Sequence, residues 1–159
     1  MKKSFALLAL SDLALLMVTG FMGLMVEGAA GFVRHFLLGV LAGLFTCFVH
    51  VIVLVYFIVQ DKVVTQSALH HRIAEAHARH MSSLKSRAVR LSVLGSMSII
   101  VVVGVGAAIE VGIYASIHSA LAFACIAVNA VIFGWQFVLI DECQRLVSQA
   151  FEAAPNAAD

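Results

Sequence analysis

The sequence has few charged residues and a single proline. Only 12% of its 159 residues are Asp, Glu, Lys or Arg, whereas about a quarter are charged in a typical soluble domain. A chain with so little charge lacks the polar surface that a water-soluble domain needs, and 62% of it is hydrophobic. The single proline leaves the apolar stretches free of proline kinks. These absences exclude an ordinary soluble globular protein.

Other absences narrow the function. The chain has three cysteines, two of them inside apolar segments, so a disulfide framework is not expected. A formal net charge of +1 gives no reason to expect nucleic-acid binding. No catalytic or transport motif is present, and the Glu-x-x-His pair of di-iron four-helix bundles is missing. The sequence therefore favours a non-enzymatic protein and leaves enzymatic activity open.

Four long apolar runs make up most of the chain. Each is close to the ~20 residues that a helix needs to cross about 30 Å of hydrocarbon. Asp12 is the only formal charge within these runs, which cover residues 5–26, 36–59, 91–109 and 119–140. With their flanks, the runs predict four membrane-spanning helices, at about residues 5–26, 33–59, 88–114 and 118–142.

Positive charge lies almost entirely on one side of these spans. Nine of the ten Lys and Arg residues fall on the side that carries both chain ends, and only Arg34 falls on the other. Lys and Arg close to a span are retained on the cytoplasmic face. We therefore expect an integral protein of the bacterial inner membrane, with its N- and C-termini in the cytoplasm.

The short outer connections make successive spans antiparallel neighbours. The predicted fold is an all-α integral membrane protein, a four-helix up-down-up-down bundle that forms one domain over residues 1–150. The cytoplasmic segment 61–87 is expected to contain a separate short helix at about residues 67–80, and Ser82 or Ser83 is expected to cap the third span. Residues 151–159 are predicted to form a frayed tail.

The bundle interior is predicted to contain a polar site. Small and polar residues mark the protein-facing sides of helices in lipid, and Asp12, His50 and Asn129 fall within roughly 6 Å of one level. We expect an Asp12–His50 contact, with Asn129 nearby and Cys47 on the same helix face as His50. Three interpretations stay open: a structural hydrogen-bond network, a proton-handling or ligand-contacting site, and metal or haem ligation.

A second polar cluster is predicted at the outer rim, where the ends of all four helices meet. Its members are Glu27, His35, Glu110, Tyr114 and His118. Two Glu and two His are suited to a divalent metal, and His35 with His118 are suited to haem b, whereas His50 has no intramembrane His partner for a haem. The alternative is a set of ordinary solvated residues. Both halves of the chain have a Glu followed eight residues later by His, but no internal repeat is convincing.

Small size and small-residue helix faces favour a non-enzymatic role. The sequence predicts an accessory or structural subunit that packs in a larger membrane complex, such as a respiratory or energy-coupling one. One alternative is a haem- or metal-binding redox or proton-linked membrane module, and another is an oligomeric channel or transporter. The expected partners are the lipid bilayer and other membrane-protein subunits or further copies of the chain.

Overall fold

The computed structural model describes residues 1–69, 74–107 and 115–152, and all of its regular structure in these ranges is α-helical. The four helices are α1 (Lys2–Leu24), α2 (Gly28–Leu69), α3 (Glu75–Ala107) and α4 (Ala115–Glu152). All four are long and apolar enough to cross a membrane. The predicted all-α four-helix membrane bundle is confirmed.

The helices form a ring in chain order. Each packs against the next, and α4 closes the ring against α1, so α2 and α4 face each other across one diagonal. We call the end where α1 begins and α4 ends the terminal end, and the opposite end the hairpin end. Gly28 begins α2 at the hairpin end with φ of +63°, a left-handed conformation that glycine adopts without steric cost.

The bundle extends beyond α1 at the terminal end. α1 has 23 residues and α2 has 42, which correspond to about 35 Å and 63 Å of helix. The extension is a three-helix layer of α2, α3 and α4 with its own buried residues. These include Val64, Ala68, Met81, Leu84, Cys143, Leu146 and Ala150. Ion pairs join the helices there: Lys85 to Asp61, and Lys2 of α1 to Asp141 of α4 at 2.6 Å.

The separate helix expected at about residues 67–80 is not formed. α2 continues to Leu69 and α3 already begins at Glu75, so Ser82 and Ser83 lie inside α3 and do not cap it. Ala68 continues the buried face of α2, and Ala78 of α3 packs against the same cluster, so this segment extends the two spanning helices. In the expected tail, Phe151 and Glu152 belong to α4, and residues 153–159 lie outside the described residues.

The two halves of the bundle share a repeated burial pattern, with an offset of 83 residues that relates His35 to His118. The buried positions of α1 are Phe5, Ala9, Asp12, Leu16 and Thr19, and those at the same offset in α3 are Ala88, Ser92, Gly95, Ile99 and Val102, all buried. The same relation joins α2 to α4. Its buried pairs include Ala42 and Cys125, Thr46 and Asn129, Val49 and Ile132, His50 and Phe133, Val53 and Gln136, and Phe57 and Ile140. The repeat is thus visible in burial, although few of the paired residues are identical.

The terminal extension gives a direct test of this packing. Leu84 is 1% exposed in the extension, whereas Leu69 in the same layer is 72% exposed. We predict that Leu84→Ala lowers the free energy of unfolding in detergent by about 2–5 kcal/mol, because it leaves a cavity in a packed interior. Leu69→Ala is the control and should change it by less than about 0.5 kcal/mol. Equal effects of the two substitutions would contradict the three-helix extension.

Candidate functional site

His50 is held by side chains from the opposite helix. Its Nε2 lies 3.0 Å from Oδ1 of Asn129, and its Nδ1 lies 3.1 Å from Nε2 of Gln136. The Asn129 amide nitrogen donates to the carbonyl oxygen of Cys125 at 3.0 Å, which identifies Oδ1 as an acceptor. His50 Nε2 therefore carries a hydrogen and donates to Asn129, while Nδ1 accepts from Gln136. The arrangement fixes one neutral tautomer of the ring.

The imidazole of His50 also has a tightly shaped seat. One neighbour is the ring of Phe133, whose centroid is 5.0 Å away and whose plane is inclined by 28°. Another is Gly95 of α3, where an added Cβ would overlap His50 Nε2 and come within 3.0 Å of Asn129 Oδ1. The absence of a side chain at Gly95 thus makes room for the ring. His50, Asn129 and Gln136 are all fully buried.

Asp12 does not make its expected contact with His50. Its Oδ1 lies 3.0 Å from the hydroxyl oxygen of Thr46, and no hydrogen bond joins Asp12 to His50 among the described residues. Thr46 is one helical turn from His50 on α2, and its hydroxyl faces α1, so it reaches the carboxyl group first. The second carboxyl oxygen of Asp12 is buried and makes no hydrogen bond with the described residues.

Cys47 does not join these polar contacts. It is a half-buried free thiol that packs beside an apolar cluster. The cysteine sulfur that contacts the side chains around His50 belongs to Cys125. It lies 3.3 Å from the Asn129 amide nitrogen and 3.4 Å from the Ser98 hydroxyl oxygen. Within residues 1–69, 74–107 and 115–152, no three His, Cys, Asp or Glu side chains cluster closely enough to hold a metal ion.

His35 and His118 meet near the hairpin end. Their ring centroids are 6.1 Å apart and their planes are inclined by 78°. Each ring lies against a glycine of the preceding helix: an added Cβ would be 2.7 Å from Cε1 of His35 at Gly23, and 2.7 Å from Cε1 of His118 at Gly106. The Nδ1 atom of each ring is buried and unbonded in the described part of the chain.

The two imidazoles open onto an apolar cavity of 170 Å³ between the helices. Its walls are mostly small and aliphatic, and they include Leu16, Gly20, Gly39, Ala42, Ile99 and Ile126. Glu27 of the predicted rim cluster is exposed and does not line this cavity. Glu110 and Tyr114, the other predicted members, lie outside the described residues.

Sequence reasoning left several residues out of the predicted interior site. Thr46 and Gln136 have polar side chains on the protein-facing helix sides, but nothing in the sequence identifies their partners. Ser92, which accepts a 3.0 Å hydrogen bond from Gln136, lies one helical turn before Gly95 on the buried face of α3. The glycines that pack against His35 and His118 share one sequence feature, since Gly23 and Gly106 each precede the His by twelve residues.

No known protein family, curated protein or solved structure matches this chain. Function is therefore inferred from the geometry of the two histidine sites. One of them, around His50, is closed by its own hydrogen bonds. The other, around His35 and His118, has one unbonded nitrogen, Nδ1, in each ring and an adjoining cavity.

Gly95 tests the His50 site. We predict that Gly95→Ala lowers the free energy of unfolding by about 1–3 kcal/mol, since the new methyl group forces His50 from its seat. Thermal unfolding in detergent measures the effect. Gly134→Ala is the matched control, because an added Cβ at Gly134 meets nothing within 4 Å. If both variants unfolded at the wild-type temperature, the tight seat would be wrong.

Proposed function

We propose that this chain is a haem-carrying membrane subunit, in which His35 and His118 are the two axial ligands of a b-type haem. The observation that carries the proposal is the placement of the two rings. They come from the diagonally opposed helices α2 and α4, they occupy equivalent positions of the repeat, and their centroids are 6.1 Å apart. A haem of this kind supplies one-electron oxidation and reduction of its iron.

The spacing of the rings matches axial ligation by two imidazoles. Two metal–nitrogen bonds of about 2.0 Å, each with about 1.1 Å more to a ring centroid, put the centroids of opposed imidazoles about 6.2 Å apart. The measured value is 6.1 Å. The Cε1 edges of the two rings face Gly23 and Gly106, so ligation needs each ring to turn a nitrogen toward the space between them. A single metal atom then fits between rings at this distance, whereas the six-membered ring of a quinone does not. The spacing thus favours a metal centre over an organic ligand held between the histidines.

The donor set favours a haem over a bare metal ion. A structural metal such as zinc takes about four protein donors, and only two imidazoles converge here among the described residues. A porphyrin supplies four nitrogen donors and leaves two axial positions for histidines. Two opposed histidines therefore complete an iron porphyrin, whereas a bare ion would need ligands beyond those that the described residues supply.

The surroundings also suit a porphyrin. The cavity walls are apolar, and glycines of α1, α2 and α3 leave space close to the two rings. A volume of 170 Å³ is too small to enclose a whole porphyrin, since pockets for drug-sized ligands have about 300–1,000 Å³. Part of the macrocycle would therefore extend outside this cavity, where its apolar edge is compatible with hydrocarbon.

The position of the two histidines near one end of the bundle supports a role of this chain as a subunit of a complex. His35 is seven residues from the start of α2 and His118 three from the start of α4, so both lie within about 10 Å of the hairpin end of their helices. Lys and Arg concentrate at the terminal end, which supports a cytoplasmic position for that end in a bacterium and a position of the haem near the outer face of the inner membrane. One haem at one face cannot carry electrons across about 30 Å of hydrocarbon. A partner subunit must therefore donate or accept the electrons.

The ligand assignment is tested by the visible spectrum of the purified chain. We predict low-spin haem b at roughly one per chain, with loss of the six-coordinate low-spin form in both His35→Ala and His118→Ala, since each removes an axial ligand. His80→Ala is the control: His80 is a half-exposed residue of the terminal end that pairs with Glu142. It should keep the wild-type spectrum.

Three results would contradict this assignment. One is a folded wild-type protein that stays colourless even after addition of haem. Another is a low-spin spectrum that persists unchanged in His35→Ala and His118→Ala. The third is stoichiometric zinc without iron, which would indicate a bare metal site instead.

The glycines that pack against the two proposed ligands provide a separate test. Gly23→Ala and Gly106→Ala should each weaken haem binding by about 10–100-fold, because the new methyl group displaces the ligand ring beside it. Titration of the haem-free protein with haemin measures this. Gly104→Ala is the matched control in α3, since a Cβ there meets nothing within 4 Å. Equal affinities of all three variants for haemin would show that the two glycines do not position the ligands.

A further inference from the structure

We infer that Asp12 is a proton-binding group whose protonation is coupled to reduction of the haem at His35 and His118. The inference deepens the proposed function and rests on it. It assigns a role to a fully buried carboxyl group that sequence analysis expected to pair with His50 and that instead contacts Thr46.

The hydrogen bonds around Thr46 accommodate both forms of the carboxyl group. The Thr46 hydroxyl has one hydrogen, yet its oxygen lies 3.0 Å from Oδ1 of Asp12 and 2.9 Å from the carbonyl oxygen of Ala42. When Asp12 is ionised, Thr46 donates to it and leaves the Ala42 carbonyl. When Asp12 is protonated, it donates to Thr46, which then donates to Ala42, so both short contacts are hydrogen bonds. Rotation of one hydroxyl therefore switches between the two states.

Among the described residues, no cation contacts an ionised Asp12. The titratable groups nearest to it are Cys125 on α4, which is near enough to interact electrostatically with the carboxylate, and His50, one helical turn from Thr46 on α2. From α3 the nearby polar group is the uncharged Ser98, bonded to Cys125. His50 is held as a neutral ring by Asn129 and Gln136. An uncompensated charge in the bilayer interior is energetically costly, so added negative charge nearby favours proton uptake.

The carboxyl group lies next to the proposed haem cavity. Ala42, whose carbonyl oxygen accepts from Thr46, lines the cavity, and so does Leu16, one helical turn from Asp12 on α1. In this low-dielectric setting an electron on the haem raises the affinity of Asp12 for a proton. One electron from an external reductant converts Fe(III) to Fe(II), and one proton from solvent converts the Asp12 carboxylate to the acid.

Redox titration of the haem-loaded full chain at several pH values tests the coupling. In the wild type, each tenfold fall in proton concentration should lower the midpoint potential by up to about 59 mV over the range in which Asp12 titrates. Asp12→Asn should flatten that dependence. Glu75→Gln is the matched control, since it removes a carboxylate that is 82% exposed at the terminal end, and it should keep the wild-type slope.

A second measurement covers the case in which Asp12→Asn does not fold. Infrared difference spectra between the reduced and oxidised wild type should show the carbonyl band of a newly protonated carboxyl group. Asp isotope labelling should shift this band, and Thr46→Val should shift it further, because its hydrogen-bond partner is lost. A midpoint potential that is independent of pH, a slope that persists in Asp12→Asn, or a difference spectrum without the band would overturn the coupling while haem binding stands. Absence of haem binding would overturn the proposed function as well.

Discussion

The packing of a histidine ring against a glycine on a neighbouring helix is the contact on which both sites depend. It occurs three times, at His35 on Gly23, His118 on Gly106 and His50 on Gly95. Helices in lipid gain stability from close packing, because lipid chains are as apolar as the helix surface. A glycine brings the partner backbone close enough to fix the ring, so the same contact that stabilises the bundle also orients the imidazole.

The repeat explains why the two sites differ. At the hairpin end both halves keep the same glycine and histidine, and the two rings face each other across the bundle. Deeper inside, the halves diverge, since Asp12 is paired with Gly95 and His50 with Phe133 at the 83-residue offset. There a single imidazole occupies the space above Gly95 and is closed by hydrogen bonds. At the hairpin end, where both halves keep the same residues, one ligand can bind between His35 and His118. Deeper in the bundle, where the halves differ, His50 takes part in a hydrogen-bond network that has no counterpart in the other half.

Much of the fold follows from the sequence because apolar length and charge asymmetry are strong signals. Four spans and the bundle could be predicted, whereas the predicted separate helix at residues 67–80 is wrong, because α2 and α3 continue into this segment. Helix depth predicts that Asp12, His50 and Asn129 lie near one level. It does not predict that Thr46 reaches the carboxyl group first, because that depends on how each helix is rotated about its axis.

The electron paramagnetic resonance spectrum of the oxidised, haem-loaded protein is the most direct measurement of the central claim. The spectrum of low-spin ferric haem with two imidazoles depends on the angle between the ligand planes, and the two rings here are inclined by 78°. The account predicts the strongly anisotropic low-spin signal of near-perpendicular imidazoles. A high-spin signal, a signal of parallel imidazoles, or no haem iron in the folded protein would contradict it.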